Sequence, residues 1–259
     1  MKRDVLLTGL RTLPSRQRVI TALDVAGADE AVALADRLGP AGGFVKVGLE
    51  LFSAAGPQVV DRLQARNRRV FLDLKYHDIP NTVAGAARVA ARLGVAMCTI
   101  HAAAGRPALT AAAEALAAEA PATSGSRPAL LAVTVLTSLS AADLAETAPS
   151  SDDLAGRIDR LARLAWDCGC DGLVCSAADL PHVRAAVGPE PLVVTPGIRP
   201  RGSARDDQQR VATPERAVAD GADFLVVGRP ITRAADPGAA IAAIAAEIDQ
   251  APTTRSDRT

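Results

Sequence analysis

Apolar and polar positions fall into two alternating regimes along the chain. Short runs rich in Val, Ile, Leu and Phe recur at Val19–Asp24, Phe44–Val47, Val70–Leu74, Ala96–His101, Ala129–Leu136, Gly172–Cys175, Leu192–Thr195 and Phe224–Val227. Such nearly continuous apolar runs suit strands buried on both faces. Between them lie longer Ala/Leu/Arg segments of helical period, at Asp29–Leu38, Pro57–Asn67, Thr82–Leu93, Pro107–Glu119, Leu154–Cys168, Ala178–Val187, Pro214–Ala219 and Pro237–Ile248. Gly39-Pro40, Gly94, Gly169 and Gly221 follow helices, where a left-handed residue closes the last turn, and Pro121–Pro128 reads as a loop. About eight strands alternating with helices predict an α/β fold of the TIM-barrel type, (β/α)8. It should be a single domain over residues 1–250, with residues 1–15 as an N-terminal extension and residues 251–259 as a disordered tail.

Composition adjusts this picture. Hydrophobic residues make up 49% of the 259, yet there are only one Trp, one Tyr and four Phe. The core is therefore built from Ala, Val, Leu and Ile. The formal net charge is +0, which argues against a general nucleic-acid binder, since that needs a basic excess to displace counterions. Any anionic ligand must be held locally. Cys98, Cys168, Cys170 and Cys175 have no metal-ligand spacing; Cys168 and Cys170 form only a C-x-C. They read as buried reduced thiols, with no metal site. Met1–Leu10 carries Lys2, Arg3 and Asp4 and does not read as a secretory leader. No apolar stretch is long enough to span a membrane, so a cytoplasmic location is the expectation.

Barrel geometry places chemistry where strands end and βα loops begin. The polar residues there are Asp24, Lys46, Asp73, Lys75, His101, Thr137, Ser138, Arg199 and Arg229. The densest stretch is Val70–Val83, which contains Asp73-Leu74-Lys75-Tyr76-His77-Asp78-Ile79-Pro80-Asn81-Thr82. On a strand, Asp73 and Lys75 share a face while Leu72 and Leu74 take the other. Taken alone, D-x-K-x-x-D also fits a salt-bridged strand end followed by a helix cap at Asp78 or Asn81. Lys46 and Asp24, at neighbouring strand ends, favour a charged cavity instead. Alternating charges limit the desolvation cost and hold Lys75 cationic, and a cationic lysine beside a reacting carbon is a proton donor. That combination suits loss of a carboxylate followed by protonation of the carbanion. Near the last strand, Gly228 permits close backbone approach and Arg229 offers a planar fork to phosphate oxygens; an arginine covering the barrel rim is the plainer alternative.

The chain resembles the orotidine 5'-monophosphate decarboxylase family in its bacterial form, over about Val19–Thr232. The resemblance rests on Ala22-Leu23-Asp24, Val45-Lys46-Val47-Gly48, the Asp73–Val83 string, Ile100-His101-Ala102, Val133–Ser138, Thr195-Pro196-Gly197-Ile198-Arg199 and Val226–Ile231. It implies decarboxylation of orotidine 5'-monophosphate to UMP, the last step of de novo UMP synthesis, without a cofactor. Asp24 resembles the ribose-binding residue and Lys46 the lysine bridging Asp24 and Asp73. Asp73 matches the aspartate beside the substrate carboxylate, and Lys75 the donor of the proton to C6. Asp78 and Thr82 match residues that enter the partner's site in a homodimer. Thr137 and Ser138 match nucleotide contacts, with Ser138 on the pyrimidine edge. Pro196 belongs with the substrate contacts, and Arg199, Gln208, Gly228 and Arg229 match the phosphate side. Gln209, adjacent to Gln208, is an alternative there. His101 reads as structural, and Tyr76 and His77 as packing neighbours.

With no electron-sink motif in view, stabilisation must come from preorganised charge near C6, behind a lid for which Pro200–Arg210 is the candidate. Two other readings compete. One is a metal-dependent sugar-phosphate aldolase, such as a hexulose-phosphate synthase, with the same array around Mg2+. The other is a catalytically silent nucleotide-binding barrel. Ile79–Thr82 and the Thr137-Ser138 pair argue against the first, and the intact charged array against the second.

Overall fold

Successive residues of each strand face two different apolar environments, and this fixes the architecture. The computed structural model describes residues 3–119, 126–147, 153–201 and 212–252. The strands are β1 (Val19–Ala22), β2 (Phe44–Gly48), β3 (Arg69–Tyr76), β4 (Met97–His101), β5 (Ala129–Val133), β6 (Gly172–Val174), β7 (Leu192–Thr195) and β8 (Phe224–Val227). All pair in parallel and in chain order, and β8 closes on β1 through Val19↔Leu225 and Thr21↔Val227. One set of strand residues, including Ile20, Phe44, Phe71, Met97, Leu131, Val194 and Phe224, packs together inside the barrel. The other set, including Val45, Leu72, Ile100, Ala132, Val193 and Leu225, packs outward against the helices. Two-sided burial explains why the strands read as runs rather than as alternation.

The helices are α1 (Arg3–Arg11), α2 (Ala28–Arg37), α3 (Leu49–Ala55), α4 (Gln58–Gln64), α5 (Pro80–Arg92), α6 (Gly105–Ala118), α7 (Ala141–Thr147), α8 (Leu154–Asp167), α9 (Leu180–Val187), α10 (Pro214–Ala219), α11 (Arg229–Thr232) and α12 (Pro237–Asp249). Small alanine side chains let the outer helices sit close: Ala87, Ala90, Ala108 and Ala112, on α5 and α6, are fully buried. The four glycines placed after helices all have positive φ.

Several boundaries differ from expectation. The expected helix Pro57–Asn67 is preceded by a separate helix, α3, and starts and ends within the predicted span. Gly56, at φ 64°, separates the two. The strand expected at Ala129–Leu136 stops at Val133, because the chain turns away before Thr137. The N-terminal extension is largely the helix α1, which plugs the barrel floor. Its Leu6, Leu7 and Leu10 join the interior cluster. Its two ends are tied to buried aspartates: Arg3 lies 3.8 Å from Asp171 and 3.4 Å from the Trp166 ring centroid, and Arg11 lies 3.8 Å from Asp223. Of the expected tail at 251–259, residues 253–259 lie outside the described residues, as does most of the expected loop before β5. No helix among the described residues is long and apolar enough to cross a membrane.

Candidate active site

Inward-facing positions change character on climbing the barrel. Phe44 is followed two residues on by Lys46, Phe71 by Asp73, and Met97 by Thr99. The floor is thus apolar and the mouth charged. Above it opens a cavity of about 780 Å³, lined by Asp24, Lys46, Asp73, Lys75, Thr137, Pro196, Arg199, Gly228 and Arg229 among others. It lies at the C-terminal ends of the strands, where this fold places its chemistry.

The charged residues form one connected chain. Lys46 Nζ donates to Asp24 Oδ1 at 2.8 Å and lies 3.9 Å from Asp73 Oδ2. Lys75 Nζ donates to the same Asp73 Oδ2 at 2.9 Å, and Thr99 Oγ1 donates to Asp73 Oδ1 at 3.0 Å. The Lys46 and Asp73 side chains are each only 12% exposed. Each of these largely desolvated charges has an opposite partner, which offsets the cost of burying it. Two ammonium groups flank one carboxylate, and the outer carboxylate, Asp24, remains open to the cavity.

Lys75 reaches this position by a route that simple alternation did not anticipate. Its φ is +51°, a left-handed conformation that a long side chain rarely adopts. The β3–β4 register shifts at this point: Leu72 pairs with Cys98, whereas Tyr76 pairs with Ile100. Bulges of this kind re-aim side chains beside active sites. Asp73 and Lys75 do meet, but through a bulge rather than a regular pleat.

The remaining predicted residues divide by position. Thr137 lines the cavity, while Ser138, beside it in an exposed turn, does not. Arg199 is buried; its Nη1 donates to the Ile198 carbonyl at 3.0 Å, and its Nε has no hydrogen-bond partner among the described residues. Gly228 is the cap residue of α11, and Arg229 is the first residue of that helix. A Cβ on Gly228 would come no nearer than 3.7 Å to Ala22 Cβ. Packing within the protein therefore does not demand glycine there, and the bare backbone is presented to the cavity. Asp78 and Thr82 are exposed and do not line their own chain's cavity; Asp78 Oδ1 accepts from the Ile79 amide at 2.6 Å. Gln208 and Gln209, with the lid candidate beyond Arg201, lie outside the described residues.

Two residues escaped the sequence reading. Thr99 lies inside the β4 run, two residues before the polar strand end at His101, yet period-two spacing from Met97 places it inward. Gly48, in the Val45–Gly48 motif, carries no side chain to signal a role. A Cβ there would approach Lys46 Nζ to 3.0 Å and Asp24 Oδ1 to 3.6 Å, so glycine leaves room for that ion pair.

The other titratable groups nearby are held by stacking or burial. The His77 and His101 rings stack at 5.2 Å, and His101 Nδ1 accepts from the Ala103 amide at 3.4 Å. Burial, then the charges of His77 and Lys75, hold the His101 imidazole below its ordinary value of 6.5. All four cysteines are buried and free. Burial pushes the Cys98 thiol up to about 12, and those of Cys170 and Cys175 upward too, which suppresses the reactive thiolate.

Comparison with known proteins adds an independent line. A model of the Orotidine 5'-phosphate decarboxylase / HUMPS family matches residues 17–244. A protein of Halorhodospira halophila named orotidine 5'-phosphate decarboxylase is 54% identical over 241 residues, spanning 92% of this chain and 98% of its own. One of Moorella thermoacetica, with the same name, is 50% identical over 91% of this chain and 93% of its own. The crystal structure of orotidine 5'-phosphate decarboxylase from Lactobacillus acidophilus superposes with a TM-score of 0.80 at 41% identity, covering 89% of this chain and 98% of that one.

Proposed function

The chain belongs to the orotidine 5'-phosphate decarboxylase / HUMPS family, and we propose that it is a carboxy-lyase converting orotidine 5'-monophosphate to UMP and CO2 in pyrimidine biosynthesis, without a cofactor, with Lys75 as the proton donor. The supporting observation is the chain of charges Asp24–Lys46–Asp73–Lys75 at the barrel mouth. In the proposed step the bond from C6 to the carboxyl carbon breaks and CO2 leaves. The electron pair left on C6 takes a proton from the Lys75 ammonium, and the resulting amine regains one from solvent after product leaves. Asp73 holds the ammonium at 2.9 Å and stands beside the departing carboxylate. The developing negative charge at C6 thus meets a cation already in place, so little reorganisation is needed.

Recognition of the rest of the nucleotide is distributed around the same cavity. Asp24 and Lys46 serve the ribose, and Thr137, with Ser138 from the adjoining turn, the base. Pro196 borders the ligand. Arg199, Gly228, Arg229 and Gln208 serve the phosphate. Binding energy from these remote groups positions the reacting carboxylate. The working unit is a homodimer in which Asp78 and Thr82 enter the partner's cavity. In its favour, two large apolar side chains stand exposed just beyond the adjacent strands β2 and β3, Leu49 at 57% and Ile79 at 67%. A cytoplasmic location goes with this metabolic role.

The test is loss of orotate absorbance on mixing purified protein with orotidine 5'-monophosphate, with and without EDTA. The expected outcome is UMP formation at the same rate in both. No turnover sinks the activity, and turnover lost in chelator transfers the array to metal-dependent chemistry.

A further inference from the structure

We propose that Thr99 is a positioning residue for this reaction: its hydroxyl locks the bulge that aims Lys75 and orients the Asp73 carboxylate at the same time. The proposal rests on the decarboxylase reading for its kinetic consequence, but its geometry stands independently. Thr99 is fully buried on β4. Between the paired residues Leu72↔Cys98 and Tyr76↔Ile100, β3 spends four steps where β4 spends two. The intervening residues of β3 therefore lack regular ladder partners on β4, although Asp73 still pairs with Gly48 on β2. The Lys75 amide donates to Thr99 Oγ1 at 2.8 Å instead.

The direction of each hydrogen bond follows from chemistry. A carboxylate only accepts, so the single hydroxyl hydrogen goes to Asp73 Oδ1, at 3.0 Å. A backbone N–H only donates, so Lys75 uses an oxygen lone pair. With its proton committed to Asp73, the hydroxyl cannot rotate without abandoning one of the two. Asp73 Oδ2, facing the other way, receives Lys75 Nζ at 2.9 Å. One buried oxygen atom thus closes a ring through Lys75 backbone, Lys75 side chain and Asp73 carboxylate. It holds a left-handed lysine in a conformation that the chain would otherwise relax. Removing the oxygen leaves an N–H and a carboxylate oxygen unpaired in a buried place. Relaxation of Lys75 to an extended conformation then turns Nζ away from the reacting carbon.

The discriminating pair is Thr99→Val, which keeps the shape and loses the hydroxyl, and Thr99→Ser, which keeps the hydroxyl and loses the methyl. For Thr99→Val, kcat should fall on the order of 10- to 100-fold, with KM and UMP affinity within about threefold of wild type. Thr99→Ser should recover kcat to within about fivefold of wild type. Wild-type kcat in Thr99→Val overturns the proposal, as does equal impairment of the two variants, since that indicts packing and not the hydroxyl. A reading that needs no variant is hydrogen exchange at the Lys75 amide of the wild-type protein. Slow exchange is expected, and exchange at the rate of an open loop overturns the proposal even if Thr99→Val fails to fold. Failure of the functional reading looks different: wild-type protein itself would form no UMP, whatever the Lys75 amide does.

Discussion

Replacing Lys75 with alanine should stop turnover while leaving the nucleotide bound. The ammonium has two tasks in the proposed step: it donates the proton to C6, and it offsets the charge that develops there. General acid catalysis is typically worth about 10²–10⁴-fold, and a preorganised electrostatic contact about 10²–10³-fold. Because one group performs both tasks, a loss of at least about 10⁴-fold in kcat is expected. Lys46 is a poor substitute, since it is already committed to Asp24 at 2.8 Å and stands 3.9 Å from Asp73. UMP affinity should change little, because Asp24, Arg199 and Arg229 line other parts of the cavity. The fold should survive, as the Lys75 side chain is partly exposed and Asp73 keeps the Thr99 hydroxyl at 3.0 Å and Lys46 at 3.9 Å as partners. Lys75→Arg should not rescue, since a guanidinium stays protonated and has a different shape. Turnover by orotate absorbance and affinity by UMP titration decide the matter. Activity within about tenfold of wild type removes Lys75 from the donor role.

Mixing two inactive variants should restore activity. Asp78 lies just beyond β3, exposed, and outside the cavity of its own chain. If it completes the partner's site, then Asp78→Ala and Lys75→Ala are each inactive for different reasons. A hybrid dimer has one site with both substitutions and one with neither. Random exchange of equal amounts should then recover about a quarter of wild-type activity. Absence of recovery after verified subunit exchange would mean that Asp78 serves only its own chain.

Much of this arrangement was legible in the sequence, for identifiable reasons. The eight strands stood out because residues such as Val45, Leu72 and Val193 are buried against helices while their neighbours fill the barrel. Strand ends located Asp24, Lys46, Asp73, Arg199 and Arg229, all of which line one cavity. Short helices were not legible. The seven-residue α3 begins directly after β2, ahead of the helix expected from Pro57. In α1, the Leu6, Leu7 and Leu10 spacing was present, but a segment this short gains its helix from the barrel floor it covers. The left-handed conformation of Lys75 was also hidden. Lysine has no preference for it, and the contacts that accompany it, to Thr99 on β4 and to Asp73, are tertiary or specific to the bulge. Local pattern reports which face a residue takes, whereas a bulge is a property of two strands together.

A crystal structure with UMP bound examines this arrangement. Lys75 Nζ is expected within hydrogen-bonding reach of the pyrimidine C6 position, with Asp73 beside it on the side the carboxyl group leaves and the 5'-phosphate on Arg229. A base seated elsewhere in the barrel, with Lys75 Nζ directed away from C6, would contradict it.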